Sequence, residues 1–401
     1  MKPVGALLPF EQALKVVDEH IDAVTRTEVI GIDEAVGRVL AEDIVATHNT
    51  PPFDRGAMDG YAVKAEDTSG AGPETPVILE MIANIHAGDV PGVSLTSGKC
   101  TQIATGAMMP EGADAVVMVE DTEADGSSIK IYKAAKVLSN VGELGADITA
   151  GETVLKAGIY LDAGKIGVLA SQGTEKVTVY AKPRVAVLPS GEEVVELGKE
   201  LKEGQLYDIN SHTVISVVNE NGGIPVLSGI IGDNIEDIRA KIAGALENSD
   251  FIVISGGSSA GEKDLIADVV GERGNVLFHG VEIKPGKPTM FAVLDGKPIF
   301  GMPGYPTSCL VNSYLFLVPA LRKMARLPRK RAESAEVTMS KKVSGSPDRV
   351  QFMTVKVEGD QAVPVFTESG AITSIARADG YIRIETGGVA DEGEQVTVTF
   401  F

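Results

Sequence analysis

From Arg184 to Gly301, short and wholly apolar runs alternate with stretches of helical periodicity. Residues 184–188 form the first run. Asn210 then offers an N-cap for a helix carrying Val214, Val217 and Val218. A second run covers 224–227, and Asn234 starts a helix with Ile238, Ile242 and Leu246 one turn apart. A third run covers 251–254, a fourth covers 299–301, and a helix is expected over about 308–326. A strand with no polar alternation must be covered on both faces. Strand–helix alternation of this kind therefore demands a parallel, doubly wound sheet.

The flanking segments read differently. Phe10, Leu14, Val17, Ile21 and Val24 give a core-facing helix over 9–24. From 51 to 145 the texture is short β-like runs (76–80, 99–104, 115–120) separated by Gly and Pro, a β-rich module. Residues 335–401 hold Val337, Val343, Val355, Val357 and Val363 and the Val396–Val398–Phe400 alternation, a small all-β domain. The fold expected is α/β plus β, in four parts. These are 1–50 with 146–180 as a mixed domain, 51–145 as a β-rich insertion, 181–328 as the α/β domain, and 329–401 as a C-terminal β-barrel. A length of 401 residues accommodates that number of cores.

A net charge of −20 disfavours a nucleic-acid surface, and no apolar run approaches the length of a membrane span. The N-terminus has no signal-peptide pattern, and two distant cysteines, Cys100 and Cys309, cannot build a disulfide framework, so a reducing cytoplasm is expected. Both cysteines read as buried hydrophobes.

Candidate chemistry gathers at the strand ends. The run 252–255 enters Gly256–Gly257–Ser258–Ser259–Ala260–Gly261, with Asp264 following. Glycines after a buried strand let backbone N–H groups approach a phosphate, although a plain tight turn has the same composition. Lys284–Pro285–Gly286–Lys287–Pro288 presents two cations on a stiff turn, suited to an oxyanion or simply to solvation. Gly301–Met302–Pro303–Gly304–Tyr305–Pro306–Thr307–Ser308 opens a helix, with Ser308 the expected N-cap, and makes a second anion loop. Glu193, Asp233 and Asp264 are carboxylates near strand ends that either hold Mg²⁺ or serve as turn and cap residues. Pro51 to Val63, with Asp54 and Asp59, reads as a hairpin around an Asp–Gly turn. The basic run Arg322, Lys323, Arg326, Arg329, Lys330 and Arg331 is either a partner patch or a solvated helix end. GxSxG, HExxH and His/Cys clusters are absent from the sequence.

Taken in order, PPFDRGAMDGYAV (51–63), ATGAMMPEGADAVVMVED (104–121), GADITAGE (145–152), GGSSAGEKD (256–264), KPGKP (284–288) and GMPGYPTS (301–308) resemble the molybdopterin molybdenumtransferase family, which includes the C-terminal part of gephyrin. The resemblance implies an elongated homodimer of four-part chains, with a doubly wound molybdopterin-binding domain and an active site shared between chains. It implies Mg²⁺-dependent insertion of molybdate into adenylylated molybdopterin with release of AMP. Residue by residue, it implies roles for Asp59, Thr105, Asp147, Glu193, Asp233 and Asp264 in catalysis, the last the foremost Mg²⁺ ligand. It assigns anion or cofactor binding to Gly256, Gly257, Ser258, Gly261, Lys284, Lys287, Pro303, Gly304, Pro306, Ser308, Arg349 and Ser369. Transient contact with other molybdenum-cofactor proteins also follows.

Four positions depart from the family pattern: Gly56 for Ser, Gly280 for Lys, Glu282 for an apolar residue, and Tyr305 for Asn. They bear on anion affinity and on molybdate against tungstate. A non-catalytic scaffold and a nucleotide hydrolase on the same sheet are the rival functions.

Overall fold

The computed structural model describes residues 7–232, 234–256, 265–330, 333–365 and 371–401. They form two compact units. One comprises Val29–Val36 and Leu40–Thr178; the other comprises Met1–Glu28, Gly37–Val39 and Val179–Phe401.

The larger unit begins with helix α1 (Phe10–Glu19), which buries Phe10, Ala13 and Val17. The helix is shorter than the 9–24 periodicity predicts. The Val24 N–H donates to the Met324 carbonyl, 2.9 Å away, instead of back along its own helix. Ile21 and Val24 still reach the same core, as non-helical chain.

The smaller unit is built on strands β1 (Gly60–Val63), β2 (Val77–Ile85), β3 (Lys99–Ile103), β4 (Ala115–Met118), β5 (Thr122–Asp125) and β6 (Ser128–Ile131), in the order β4-β1-β3-β2-β6-β5. Tyr61, Val63, Leu79, Cys100, Val117 and Ile129 fill one face. Ala62, Ile85, Ile103 and Val116 fill the other, so β1 is buried throughout. The 51–63 segment is not the hairpin expected from its Asp–Gly pair. Arg55–Gly56 pairs with Val141–Gly142, while β1 joins β3 and β4. Gly60 is required there, since a Cβ would lie 2.0 Å from the Val117 carbonyl oxygen. Helix α2 (Ala163–Ser171) follows, with Asp162 accepting from the Lys165 N–H at its N-terminus.

The α/β part of the larger unit contains β7 (Arg184–Pro189), α3 (Asn210–Glu220), β8 (Ile224–Leu227), α4 (Ile235–Asn248), β9 (Phe251–Ser255), α5 (Leu265–Arg273), β10 (Asn275–His279), β11 (Met290–Leu294) and β12 (Lys297–Met302). The sheet order is β8-β7-β9-β12-β11-β10. The first four strands are parallel, as the apolar runs demand. Val185, Val187, Phe251 and Val253 face one core; Ala186, Leu188, Ile252 and Ile254 face the other. The antiparallel edge of β10 and β11 was not anticipated. Those strands pair through neighbours close in sequence and need no crossover helix.

β12 leads into α6 (Pro306–Asn312), a π-helical stretch Ser313–Leu317, and α7 (Val318–Met324). Two cap expectations are corrected. Asn210 is the first residue inside α3, and Asp208 accepts from the Ser211 N–H in its place. Ser308 lies inside α6, which opens with Pro306 in its first turn, a position that needs no N–H.

The C-terminal strands are β13 (Ser334–Met339), β14 (Val350–Glu358), β15 (Gln361–Pro364), β16 (Gly380–Ile384) and β17 (Gln395–Phe400), with the short helix α8 (Ile372–Ala376) before β16. Their order β14-β15-β13-β17-β16 closes through a β14–β16 pairing, making a small barrel. Val337, Met353, Val355, Ile382 and Val398 fill it.

Candidate active site

The carboxyl ends of β7, β9 and β12 converge on one edge of the parallel sheet. The Ser190 N–H donates to the Ser255 carbonyl at 2.8 Å, and the Gly256 N–H donates to the Met302 carbonyl at 3.1 Å. Gly256 has a φ of +90°, and a Cβ there would sit 2.5 Å from the Ser190 carbonyl oxygen. Only glycine fits. Gly304 lies against it, with a hypothetical Cβ 3.5 Å from the Gly256 Cα. Pro303 and Ser308 are buried, Gly304 is exposed and Pro306 is half-buried. The Gly/Pro loop thus offers backbone rather than side chains. Asn210, at the start of α3, donates its amide to the Gly304 carbonyl at 2.8 Å. In open α/β sheets this edge is the usual ligand crevice.

The Lys284–Pro288 turn is fastened from below. Asn312 on α6 is fully buried. Its amide donates to the Gly286 carbonyl at 3.2 Å and to the Thr289 hydroxyl at 2.5 Å. Gly286 has a φ of +104°, and a Cβ would collide with the Asn312 amide nitrogen at 2.0 Å. The turn leaves Lys287 exposed and Lys284 half-buried. Lys284 also enters a parallel pairing with the barrel, Ile283 opposite Val350 and Lys284 opposite Gln351, which brings the backbone of Arg349 alongside. Three cations from two sequence regions therefore share one neighbourhood. Arg349 is partly committed, since its Nε donates to Asp348 at 3.2 Å. The Ser346 hydroxyl, and then Arg349, hold the Asp348 carboxyl below its usual range.

In the smaller unit, Asp59 and Thr105 form a tight pair. The Thr105 N–H and hydroxyl both donate to one Asp59 carboxylate oxygen, at 2.6 and 2.8 Å. These two bonds, the backbone one foremost, lower the Asp59 pKa although the group is exposed. Asp147 is exposed on a stretch knitted to the 50–54 segment. Its N–H donates to the Thr50 carbonyl, and Gly145 donates to the Pro51 carbonyl. Asp54 is structural, accepting from the Leu144 N–H at 2.7 Å.

Glu193 is exposed beside Gly191, just past β7. Its carboxylate is a hard oxygen donor of the kind Mg²⁺ prefers. Asp233, Gly257, Ser258, Gly261, Asp264 and Ser369 lie outside the described residues. Among the described residues no three His, Cys, Asp or Glu side chains cluster as a metal site.

Asp208 and Asn312 escaped the sequence reading. Both are buried polar residues, Asp208 just before α3 and Asn312 at the end of α6, and no local pattern marks them. Among the described residues the basic run makes local contacts; Arg331 lies outside them. Lys323 and Arg329 pair with Asp18, the Arg326 guanidinium stacks on Tyr180, and the Lys330 ammonium lies over Tyr314. Burial pushes the Cys309 and Cys100 thiols up to about 12, so neither is a thiolate nucleophile at neutral pH. A 370 Å³ hollow beside α3, floored by Leu197, Leu310 and Tyr314, contains none of the expected site residues.

Fold and edge together define a doubly wound α/β protein with a barrel appendage. Comparison with known proteins narrows the class. The MoeA N-terminal region (domain I and II) matches residues 8–173, a probable molybdopterin binding domain matches 187–323, and the MoeA C-terminal region (domain IV) matches 336–401. The molybdopterin molybdenumtransferase of Haemophilus influenzae is 32% identical over 98% of this chain and 99% of its own. That of Bacillus subtilis is 32% identical over 95% and 90%. Two solved structures of the Pyrococcus horikoshii molybdopterin biosynthesis MoeA protein are 43% and 32% identical. They cover 98% of this chain and 99% and 100% of theirs, each with a TM-score of 0.85. The chain belongs to the MoeA family of molybdopterin molybdenumtransferases, which are enzymes of molybdenum cofactor biosynthesis.

Proposed function

We propose that this protein inserts molybdenum into molybdopterin, taking molybdate and adenylylated molybdopterin and releasing AMP. What chiefly supports the reading is the turn carrying Lys284 and Lys287, held by Asn312 and paired next to Arg349. A tetrahedral dianion needs such charged donors. The glycine-lined edge at Gly256 and Gly304 suits the phosphate-bearing pterin. Asp264, Asp233 and Glu193 are the residues that would hold Mg²⁺, which would supply charge neutralisation at the phosphoanhydride. The chain's own task is to seat the two anions and exclude alternatives, because the sulfur that captures the metal belongs to the pterin.

The chains act as a homodimer, with Asp59, Thr105 and Asp147 of one chain serving the site of its partner. Family membership is the support for this arrangement. Domain boundaries at 50, 145, 180 and 328 accompany the reading, as does a cytoplasmic location. Tungstate is an alternative substrate of the same size and charge.

Asp264→Asn should abolish Mg²⁺-dependent AMP release while the fold persists; undiminished release overturns the assignment. A heterodimer of Asp59→Asn and Asp264→Asn chains should regain part of the activity, and a demonstrated but inert heterodimer removes the shared site.

A further inference from the structure

Two polar atoms at the sheet edge are sealed from solvent and have no hydrogen-bond partner among the described residues: the Ser190 hydroxyl and the Asn210 side-chain carbonyl. Ser190 is only 6% exposed. Both border the same pair of glycines. A Cβ on Gly256 would meet the Ser190 Oγ at 3.2 Å, and Gly304 packs against Gly256 on the side held by Asn210. Buried polar groups are nearly always paired, so two such atoms on one ligand edge indicate a missing partner.

The orientation of the Asn210 amide is fixed. Its Nδ2 donates to the Gly304 carbonyl, which leaves Oδ1 as an acceptor with no donor among the described residues. That acceptor selects its ligand by sign. Molybdate and an ionised phosphate present acceptors only and cannot satisfy it. The pyrimidine edge of a pterin carries an exocyclic 2-amino donor, which can. We infer that Asn210 is a specificity-determining residue that accepts a hydrogen bond from the pterin 2-amino group, with Ser190 completing the contact in either sense. This rests on the proposed function, in which a pterin occupies this edge.

Asn210 also steadies the Gly304 loop, and the test must separate the two roles. The full-length protein is titrated calorimetrically with 6-hydroxymethylpterin, with 6-hydroxymethyllumazine (2-oxo in place of 2-amino), and with AMP. Wild type should bind the pterin about tenfold tighter than the lumazine, which corresponds to ~1.4 kcal/mol. Asn210→Ala should shrink that ratio to within about twofold, a selective change that a common weakening of all three ligands through the Gly304 loop would not produce and the signature of direct coupling in a cycle. Asn210→Asp, which keeps an acceptor but loses the donor to Gly304, should retain the preference. A pterin-to-lumazine ratio equal in wild type and Asn210→Ala overturns the inference, as does equal weakening of all three ligands, which makes Asn210 a loop support only. Failure of the wild type to bind any pterin overturns the proposed function itself, and the inference with it.

Discussion

The Asp59–Thr105 pair contrasts with two other candidate regions, the Gly256 edge and the Lys284–Lys287 turn, and they are organised in opposite ways. Asp59 is exposed, and its carboxylate is already satisfied by two donors from a single residue. At the sheet edge the buried Ser190 hydroxyl and Asn210 carbonyl have no partner among the described residues, and Lys284 and Lys287 stand on a separate turn clamped by Asn312. The first arrangement fixes the charge and orientation of one group whether or not a ligand is present. A carboxylate preorganised in this way suits positioning, whereas such an edge and such a turn suit binding.

Five variants probe that contrast. Gly286→Ala should do the most damage, because its Cβ meets the buried Asn312 amide at 2.0 Å and its φ is +104°. A loss of about 2–4 kcal/mol in denaturant unfolding is expected, with molybdate binding lost as well. Gly106→Ala serves as the comparison in the smaller unit. It has a similar φ of +84° but open space around it, and should cost only about 1 kcal/mol. Equal losses would deny that the Asn312 clamp matters.

Lys287→Ala should weaken molybdate binding by about tenfold or more, the worth of one charged hydrogen bond, without shifting the melting temperature. An unchanged dissociation constant would remove the turn from the oxyanion site.

Thr105→Val removes the hydroxyl donor and keeps the N–H. The Asp59 pKa, lowered in the native protein, should rise part of the way toward its ordinary value. Because the folded pKa is depressed, the Asp59 contribution to stability is present above the unfolded value, near about 3.9, and is lost as pH falls through the folded one. The variant should lose it at higher pH than the native chain. Carboxyl NMR titration of Asp59 reads this directly, and an unmoved titration would show the hydroxyl to be idle.

Tyr305→Asn should have the smallest effect. Tyr305 is 66% exposed on the Gly/Pro loop, so stability should change by less than about 0.5 kcal/mol. A larger change in pterin affinity than in stability would make this departure from the family pattern functional.

The doubly wound sheet was legible because burial on both faces leaves an unambiguous mark, the unbroken apolar runs at 184–188 and 251–254. The barrel was legible through its alternating valines. The antiparallel pair β10 and β11 was not, since the strand–helix alternation that marks the parallel strands does not extend to it. Helix ends were misjudged at α3, where the nearby Asp208 rather than Asn210 caps the helix, and at α1, where the distant Met324 carbonyl takes the Val24 N–H. Lys284, Lys287, Gly256 and Gly304 announced themselves through Gly and Pro. Arg349 and Asp59 carried no chemical signal of their own and were found by resemblance to the family. Asn312 and the unpaired atoms of Ser190 and Asn210 depend on contacts across 20 or more residues, which spacing cannot express.

The central claim is metal insertion, and one incubation tests it most directly. The pure protein, adenylylated molybdopterin and Mg²⁺ are combined with molybdate, or in parallel with tungstate, and AMP is measured together with cofactor transferable to an apo-molybdoenzyme. The account predicts AMP and active cofactor appearing together, with the oxyanion that supports both identifying the metal used. AMP without transferable metal, or bound pterin with neither product, would contradict it.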